Sequence, residues 1–116
     1  MIEAIVLNYL LSQDIEGIGQ NVYLEVPEEK PERYILIEKT GSDRANRIDT
    51  ASFAVQSLSA NSLLEAATIN DAVKNVMDVF ADNSPDIYSC KLDTDYNFTN
   101  PATKEYRYQA VYNINY

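Results

Sequence analysis

Three polar residues in the segment "DTDYN" are spaced like the start of a calcium-binding loop. Asp93, Asp95 and Asn97 would occupy its first, third and fifth positions. Such a loop then requires glycine at the sixth position and glutamate at the twelfth, where this chain has Phe98 and Lys104. The pattern therefore fails, and we predict no metal site. Alternation along a strand explains the spacing, with all three polar side chains on the solvent side.

Groups suited to acid–base or nucleophilic catalysis are scarce. The chain has no histidine, so a base near neutral pH would have to be a retuned carboxylate, lysine or tyrosine. Cys90 alternates with Tyr88 and Leu92, which favours a structural thiol, and a single cysteine excludes an internal disulfide. Three glycines offer no phosphate-binding loop. We expect no enzymatic activity and no cofactor.

The charge is strongly acidic and unevenly distributed. Nine basic and 18 acidic side chains give a net charge of −9, which disfavours specific binding to DNA or to an anionic membrane. Residues 30–47 nevertheless hold five basic side chains against three acidic ones. We interpret this segment as an electrostatic contact between copies or with a partner. The alternative is a solvated loop whose charges are incidental.

Nine tyrosines allow two interpretations. They could form a stacking platform for nucleic-acid bases, but such platforms lie in basic grooves and this chain is acidic. Packing within a sheet and at a subunit interface is favoured instead.

Hydrophobic periodicity predicts the first half of the fold. "IEAIVLNYLL" has apolar residues at helical spacing, "NVYLEV" is a short strand candidate, and the proline-rich "PEEKPE" cannot be a central strand. "RYILIEKTG" and "RIDTASFAVQSLS" are typical of two strands of a hairpin, and "SDRAN" between them is predicted to be a turn or flexible tip.

The second half is predicted to be a helix and another hairpin. A helix over about Ser62–Ala81 begins with a capping box, in which Ser62 accepts from the backbone while Glu65 reaches back. Its core-facing stripe comprises Ile69, Ala72, Val73, Val76, Met77 and Phe80. "IYSCKLDTDYNF" and "YRYQAVYNINY" alternate as strands around the turn "TNPATK".

These elements predict an α+β fold for residues 1–116 as a single domain. The order is α-β-β-β-α-β-β, with one mainly antiparallel sheet and two helices packed on one of its faces. The N-terminal segment is a poor match to a signal peptide, because no basic residues precede its apolar residues.

The sequence resembles the small tail-terminator and tail-completion proteins of long-tailed bacteriophages. The similarity covers most of the chain, and "PERYILIEKTG" and "YRYQAVYNINY" carry it most clearly. These segments accompany a short N-terminal helix, a polar-tipped hairpin and a helix that follows a serine-rich cap. None of them is a catalytic signature.

The resemblance implies a structural virion protein. Members of this family form rings, commonly hexamers, that cap the tail tube and join it to the head connector around a channel through which DNA passes without specific binding. It also implies assembly in the cytoplasm of a bacterial host and an α+β sheet with flanking helices. A head-completion (stopper) protein, a minor capsid protein, and a small non-viral binding module that uses a sheet edge remain as alternatives.

Five residues are candidates for the contact between subunits. Arg44, Asn46 and Arg47 belong to the polar tip Gly41–Arg47, which we expect to be mobile in the free subunit and to make contact after assembly. Asn113 and Asn115 are predicted to face outward from the last strand, where their amides could bond a neighbouring subunit. A closed ring requires one surface patch to meet a different one.

Overall fold

The chain forms one five-stranded sheet and three helices. The computed structural model describes residues 1–103 and 105–116, and Lys104, the last residue of the predicted turn "TNPATK", lies outside the described residues. The elements in chain order are α1 (Ile2–Ser12), β1 (Val22–Tyr23), β2 (Arg33–Ala45), β3 (Ile48–Ser59), α2 (Leu63–Asp78), α3 (Phe80–Asn83), β4 (Ser89–Asn97) and β5 (Tyr106–Asn115).

The sheet has the order β1-β2-β3-β5-β4. The short β1 is parallel to β2, and the three other pairs are antiparallel. The α+β class, the mainly antiparallel sheet and the order of the elements are therefore confirmed, with α3 as an additional short helix.

Both long helices cover the same face of the sheet. α1 contributes Val6 and Leu10 to a core that includes Phe53 of β3 and Tyr112 of β5, all essentially inaccessible to solvent. The Tyr9 hydroxyl of α1 donates to the carbonyl of Val76 in α2, which ties the two helices together. The apolar stripes predicted for both helices are thus the residues that hold them on the sheet.

The second helix ends earlier than predicted. α2 stops at Asp78, Val79 leaves the helical conformation with φ −109° and ψ 12°, and Phe80 begins the separate helix α3. The break allows the fully buried Phe80 ring to lie against Tyr9, with a centroid distance of 4.3 Å. A single helix over Ser62–Ala81 is therefore wrong, although the burial of Phe80 is confirmed.

The start of α2 carries half of the predicted capping box. Ser62 Oγ accepts the backbone N–H of Glu65 at 3.1 Å. The Glu65 carboxylate does not reach back to Ser62, but accepts instead from Ser59 Oγ at 2.6 Å. Ser59 Oγ in turn accepts the Ser62 N–H at 3.4 Å, so the Ser59 hydroxyl bridges the Ser62 backbone and the Glu65 carboxylate.

The first hairpin is longer than predicted. Four of the five residues expected to form a turn or flexible tip, those from 42 to 45, are instead paired strand, since Arg44 lies opposite Asp49 and Ala45 opposite Ile48. The turn consists only of Asn46 and Arg47, both with positive φ (53° and 65°). Two such residues match the right-handed twist of a hairpin, so β2 continues up to the turn.

A bulge in β4 overturns the predicted alternation of that strand. Leu92 lies opposite Tyr112 on the helix-covered face, but Thr94 follows opposite Val111 on the other face, leaving Asp93 as the extra residue. Asp95, opposite Ala110, consequently lies on the helix-covered face and not on the solvent side. One inserted residue reverses the facing of every later side chain.

Among the described residues, no helix is both long and apolar enough to cross a membrane.

The burial of Phe80 gives a direct test of the core. Phe80→Ala removes a ring that contacts Tyr9 and is expected to lower the free energy of unfolding by about 3–5 kcal/mol. Val79→Ala is the matched control, because Val79 is 42% exposed, and it should change stability by less than about 1 kcal/mol. Urea unfolding followed by circular dichroism measures both, and equal midpoints for the two variants would contradict the assignment.

Candidate functional site

The hairpin tip carries two arginines, one in an ion pair and one without an ion-pair partner among the described residues. The Arg44 guanidinium forms two hydrogen bonds with the Asp49 carboxylate, one of them from Nη2 at 3.1 Å. The hydrogen bond from Arg44 lowers the pKa of Asp49. Arg47 forms no ion pair with any other residue that the structure describes. Of the three candidate residues at the tip, Arg47 is therefore the one whose charge has no ion-pair partner among the described residues, and Asn46 shares the turn conformation with it.

The two predicted asparagines lie on the outer face, defined here as the sheet face opposite the helices. Their amides are engaged within the subunit. Asn113 Oδ1 accepts from Ser52 Oγ at 3.0 Å, and Asn115 Oδ1 accepts from Thr50 Oγ1 at 2.7 Å. Asn115 Nδ2 also donates to Ser89 Oγ at 2.8 Å. Their outward position agrees with the sequence, but their first partners are β3 and β4.

A second polar group continues across the same face. Gln56 Nε2 donates to Gln109 Oε1 at 2.9 Å, and Gln109 Nε2 donates to the Tyr96 hydroxyl at 2.6 Å. Arg107 donates to Gln56 Oε1 at 3.2 Å and lies 4.7 Å above the ring of Phe98. The outer face thus has polar side chains that satisfy one another, in a network with a single charged member. This network could not be predicted from the sequence, because only the strand register reveals the partners.

A different polar group lies under α2. Asp95 accepts from Lys74 Nζ at 2.9 Å and from Asn70 Nδ2 at 2.8 Å. The hydrogen bond from Lys74 lowers the pKa of Asp95, and the same contact raises the pKa of Lys74. This charged contact attaches the edge strand β4 to α2, and it exists because the bulge turns Asp95 toward the helix.

Two groups that could act as nucleophiles have their pKa values raised by burial. Burial raises the pKa of the Cys90 thiol to about 12 and also raises the pKa of Tyr112. Both groups are therefore protonated near neutral pH, which agrees with the structural role predicted for Cys90.

A concavity on the helix side contains an arginine that is already paired with one of its two carboxylates. It has a volume of about 540 Å³ and lies between the start of α2 and the residues that precede β1. Arg33 crosses it, forming an ion pair with Glu65 at 3.2 Å and donating to the carbonyl of Gly17 at 3.3 Å. The exposed Leu64 completes the wall.

Both ends of the sheet have open strand edges. β1 pairs with β2 only at Ile35 and Leu36, so within the described part of the chain the stretch from Ile37 to Ala45 has no strand on that side. Over residues 1–103 and 105–116, β4 pairs with β5 alone, which leaves its other edge open. Open edges present unpaired backbone donors and acceptors that can pair with another chain.

Exposed apolar side chains accompany both edges. A hollow of about 420 Å³ beside the β2 edge is lined by the exposed Met1 and Leu24 together with Ile37. Along β4, Leu92 and Phe98 are 39% and 45% exposed.

Comparison with known proteins gives no family. No protein-family model matches the sequence, and no curated protein is significantly similar to it. Over residues 1–103 and 105–116, no group of three or more His, Cys, Asp or Glu side chains could hold a metal ion. The open edges, the outer face and the hairpin tip are the features from which a function can be argued.

The Asp95 contact predicts an acid-sensitive contribution to stability. Because the folded-state pKa of Asp95 is lowered, its contribution is present above the pKa of an unfolded aspartate and is lost as the pH falls through the folded value. Asp95→Asn should lower the free energy of unfolding by about 1 kcal/mol at neutral pH, a value typical of a partly exposed ion pair. The cost should shrink as the wild-type carboxylate becomes protonated.

Urea unfolding at a series of pH values measures this difference. Asp93→Asn is the control, since Asp93 is exposed in the bulge. A penalty for Asp95→Asn that stays constant down to strongly acidic pH would show that the charge of Asp95 is not responsible.

Proposed function

We propose that this protein is a structural subunit of a long-tailed bacteriophage that forms a hexameric ring on the end of the tail tube and joins it to the head connector. The observation that carries the proposal is the order α-β-β-β-α-β-β, with both long helices on one face of a mainly antiparallel sheet. It agrees with the α+β sheet with flanking helices that the resemblance to tail-terminator and tail-completion proteins implies.

Because one fold can serve many functions, surfaces suited to assembly are needed as further support. A closed ring uses two different surfaces of each subunit. The sheet offers two different open edges, the part of β2 beyond β1 and the outer side of β4. Each edge has exposed apolar side chains beside it, as expected for surfaces that become covered.

The charge distribution suits a channel through which DNA moves. A net charge of −9 per subunit repels phosphate groups. The polar side chains of the outer face already bond one another, notably Gln56 with Gln109 and Asn113 with Ser52. In the proposed ring, the outer face lines the channel, and its mutually bonded polar side chains, unlike the exposed Lys91 opposite Asn113, would offer passing DNA few unsatisfied donors. DNA then passes without specific binding, and the protein resides in the virion after assembly in the host cytoplasm.

A second candidate is a binding module that recruits a partner strand, and the open β2 edge favours it. A stopper or a minor capsid protein would use the same edges within a different layer of the virion.

Native mass spectrometry and electron microscopy of the purified chain, alone and with phage tail tubes, test the proposal. We expect closed rings with a central opening wide enough for duplex DNA, either in solution or on tube ends. A chain that stays monomeric in both conditions would contradict it.

The free charge at the hairpin tip predicts a salt-sensitive step in assembly. Arg47→Glu should weaken ring formation several-fold at low ionic strength, with a smaller effect at high salt, because exposed charge contacts are screened. Lys30→Glu is the matched control: it makes the same change in net charge at a residue whose partner is Glu105. Sedimentation velocity measures both variants, and equal weakening would show that only total charge matters.

A further inference from the structure

We propose that the open edge of β2 in one copy pairs with the open edge of β4 in the next copy, so that the sheet continues across a head-to-tail interface. The inference rests on the proposed function only in requiring that copies of this chain assemble. It specifies which surfaces meet and in which direction the strands run.

Strand directions make this pairing antiparallel. β2 runs opposite to β3, β3 opposite to β5, and β5 opposite to β4, so β2 and β4 run in opposite directions. A second copy placed alongside in the same orientation therefore brings its β4 antiparallel to β2. Antiparallel pairs are slightly more stable per residue than parallel ones, and the repeated orientation is the one that a ring requires.

β1 limits how the two edges can align, because it occupies the β2 edge at Ile35 and Leu36. An antiparallel β4 would meet β1 if it continued past Leu36. The pairing is therefore confined to the first part of β4: Leu92 lies beside Lys39, Ser89 lies farther along β2, and the strand after the bulge at Asp93 leaves the β2 edge before it reaches β1.

The apolar side chains fit this alignment. Leu92 lies on the helix-covered face, as do Ile37 and Lys39 of β2. The hollow beside β2, lined by Met1 and Leu24, opens next to these residues. Leu92 of the adjoining copy would enter it, which removes apolar surface of both copies from water.

Charge favours β2 against β4 over either edge against itself. Residues 37–47 carry three basic and two acidic side chains, whereas residues 82–97 carry four acidic and one basic. Pairing β4 with β4 would bring the two acidic segments together, while the mixed pairing joins opposite net charges. Bulges after Lys39 and after Leu92 interrupt each edge, which limits the paired stretch and discourages indiscriminate association.

Single-cysteine variants distinguish the possible pairings. In a Cys90→Ala background, Lys39→Cys is made with an affinity tag and Leu92→Cys without one, so that a mixed dimer has its own mass. The two are combined over a concentration series, with and without tail tubes, and treated with a short bifunctional thiol cross-linker. Asp71→Cys replaces Lys39→Cys as the control, since Asp71 is 74% exposed on α2, away from both edges.

We expect the mixed Lys39→Cys and Leu92→Cys dimer to exceed either same-variant dimer several-fold, and the Asp71→Cys mixture to give little product. A predominance of same-variant dimers would overturn the proposal in favour of a two-fold interface, and so would the absence of cross-links at every concentration. Circular dichroism confirms that each variant is folded. If Cys90→Ala unfolds, wild-type Cys90 is retained, because its partial burial disfavours reaction.

The outcome is separable from that of the proposed function. Rings without mixed cross-links would leave the function standing and reject this interface. Mixed cross-links in assemblies that do not bind tail tubes would support the interface and count against the function.

Discussion

The burial of β3 on both faces and along both edges is the constraint on which the rest of the structure depends. Every residue from Phe53 to Ser59 is buried. A strand in this position needs a hydrogen-bonded neighbour on each side, apolar cover on one face and satisfied polar groups on the other. β2 and β5 supply the neighbours, and the helices cover Phe53 and Val55. Gln56, which is 5% exposed, is satisfied by Gln109 and Arg107.

The elements that could be predicted from the sequence are those determined by local pattern. Helical spacing in α1 and α2 and alternation in β3 and β5 follow from which side chains must leave water. Two features could not be predicted, because each depends on distant residues: α2 ends at Asp78 so that Phe80 can meet Tyr9, and the bulge at Asp93 presents Asp95 to Lys74. The length of the first hairpin was missed for a local reason, since its turn needs only Asn46 and Arg47, both with positive φ.

The candidate site was predicted in part for the same reason. Sequence pattern placed Arg47 at an exposed tip and Asn113 on the outward face, and both positions hold. It could not show that Arg44 and Asn113 already have partners within the subunit, since those partners come from strand register. Nor could it identify the edge strands, because edge position depends on the order β1-β2-β3-β5-β4 and not on the order along the chain.

A strongly acidic subunit can assemble only through contacts that outweigh mutual repulsion. The net charge of −9 opposes bringing copies together at long range. Charged groups near the edges, such as Arg47, act over a Debye length and therefore guide orientation and rate more than they hold the complex. Backbone hydrogen bonds and the apolar contact of Leu92 act only at short range and are little screened by salt. In the proposed interface these two kinds of contact have separate effects. Rising salt would slow specific docking through the hairpin tip, but it would also weaken the general repulsion between copies. The balance between these opposing effects, and not the total charge, would then determine the ionic strength at which assembly is most efficient.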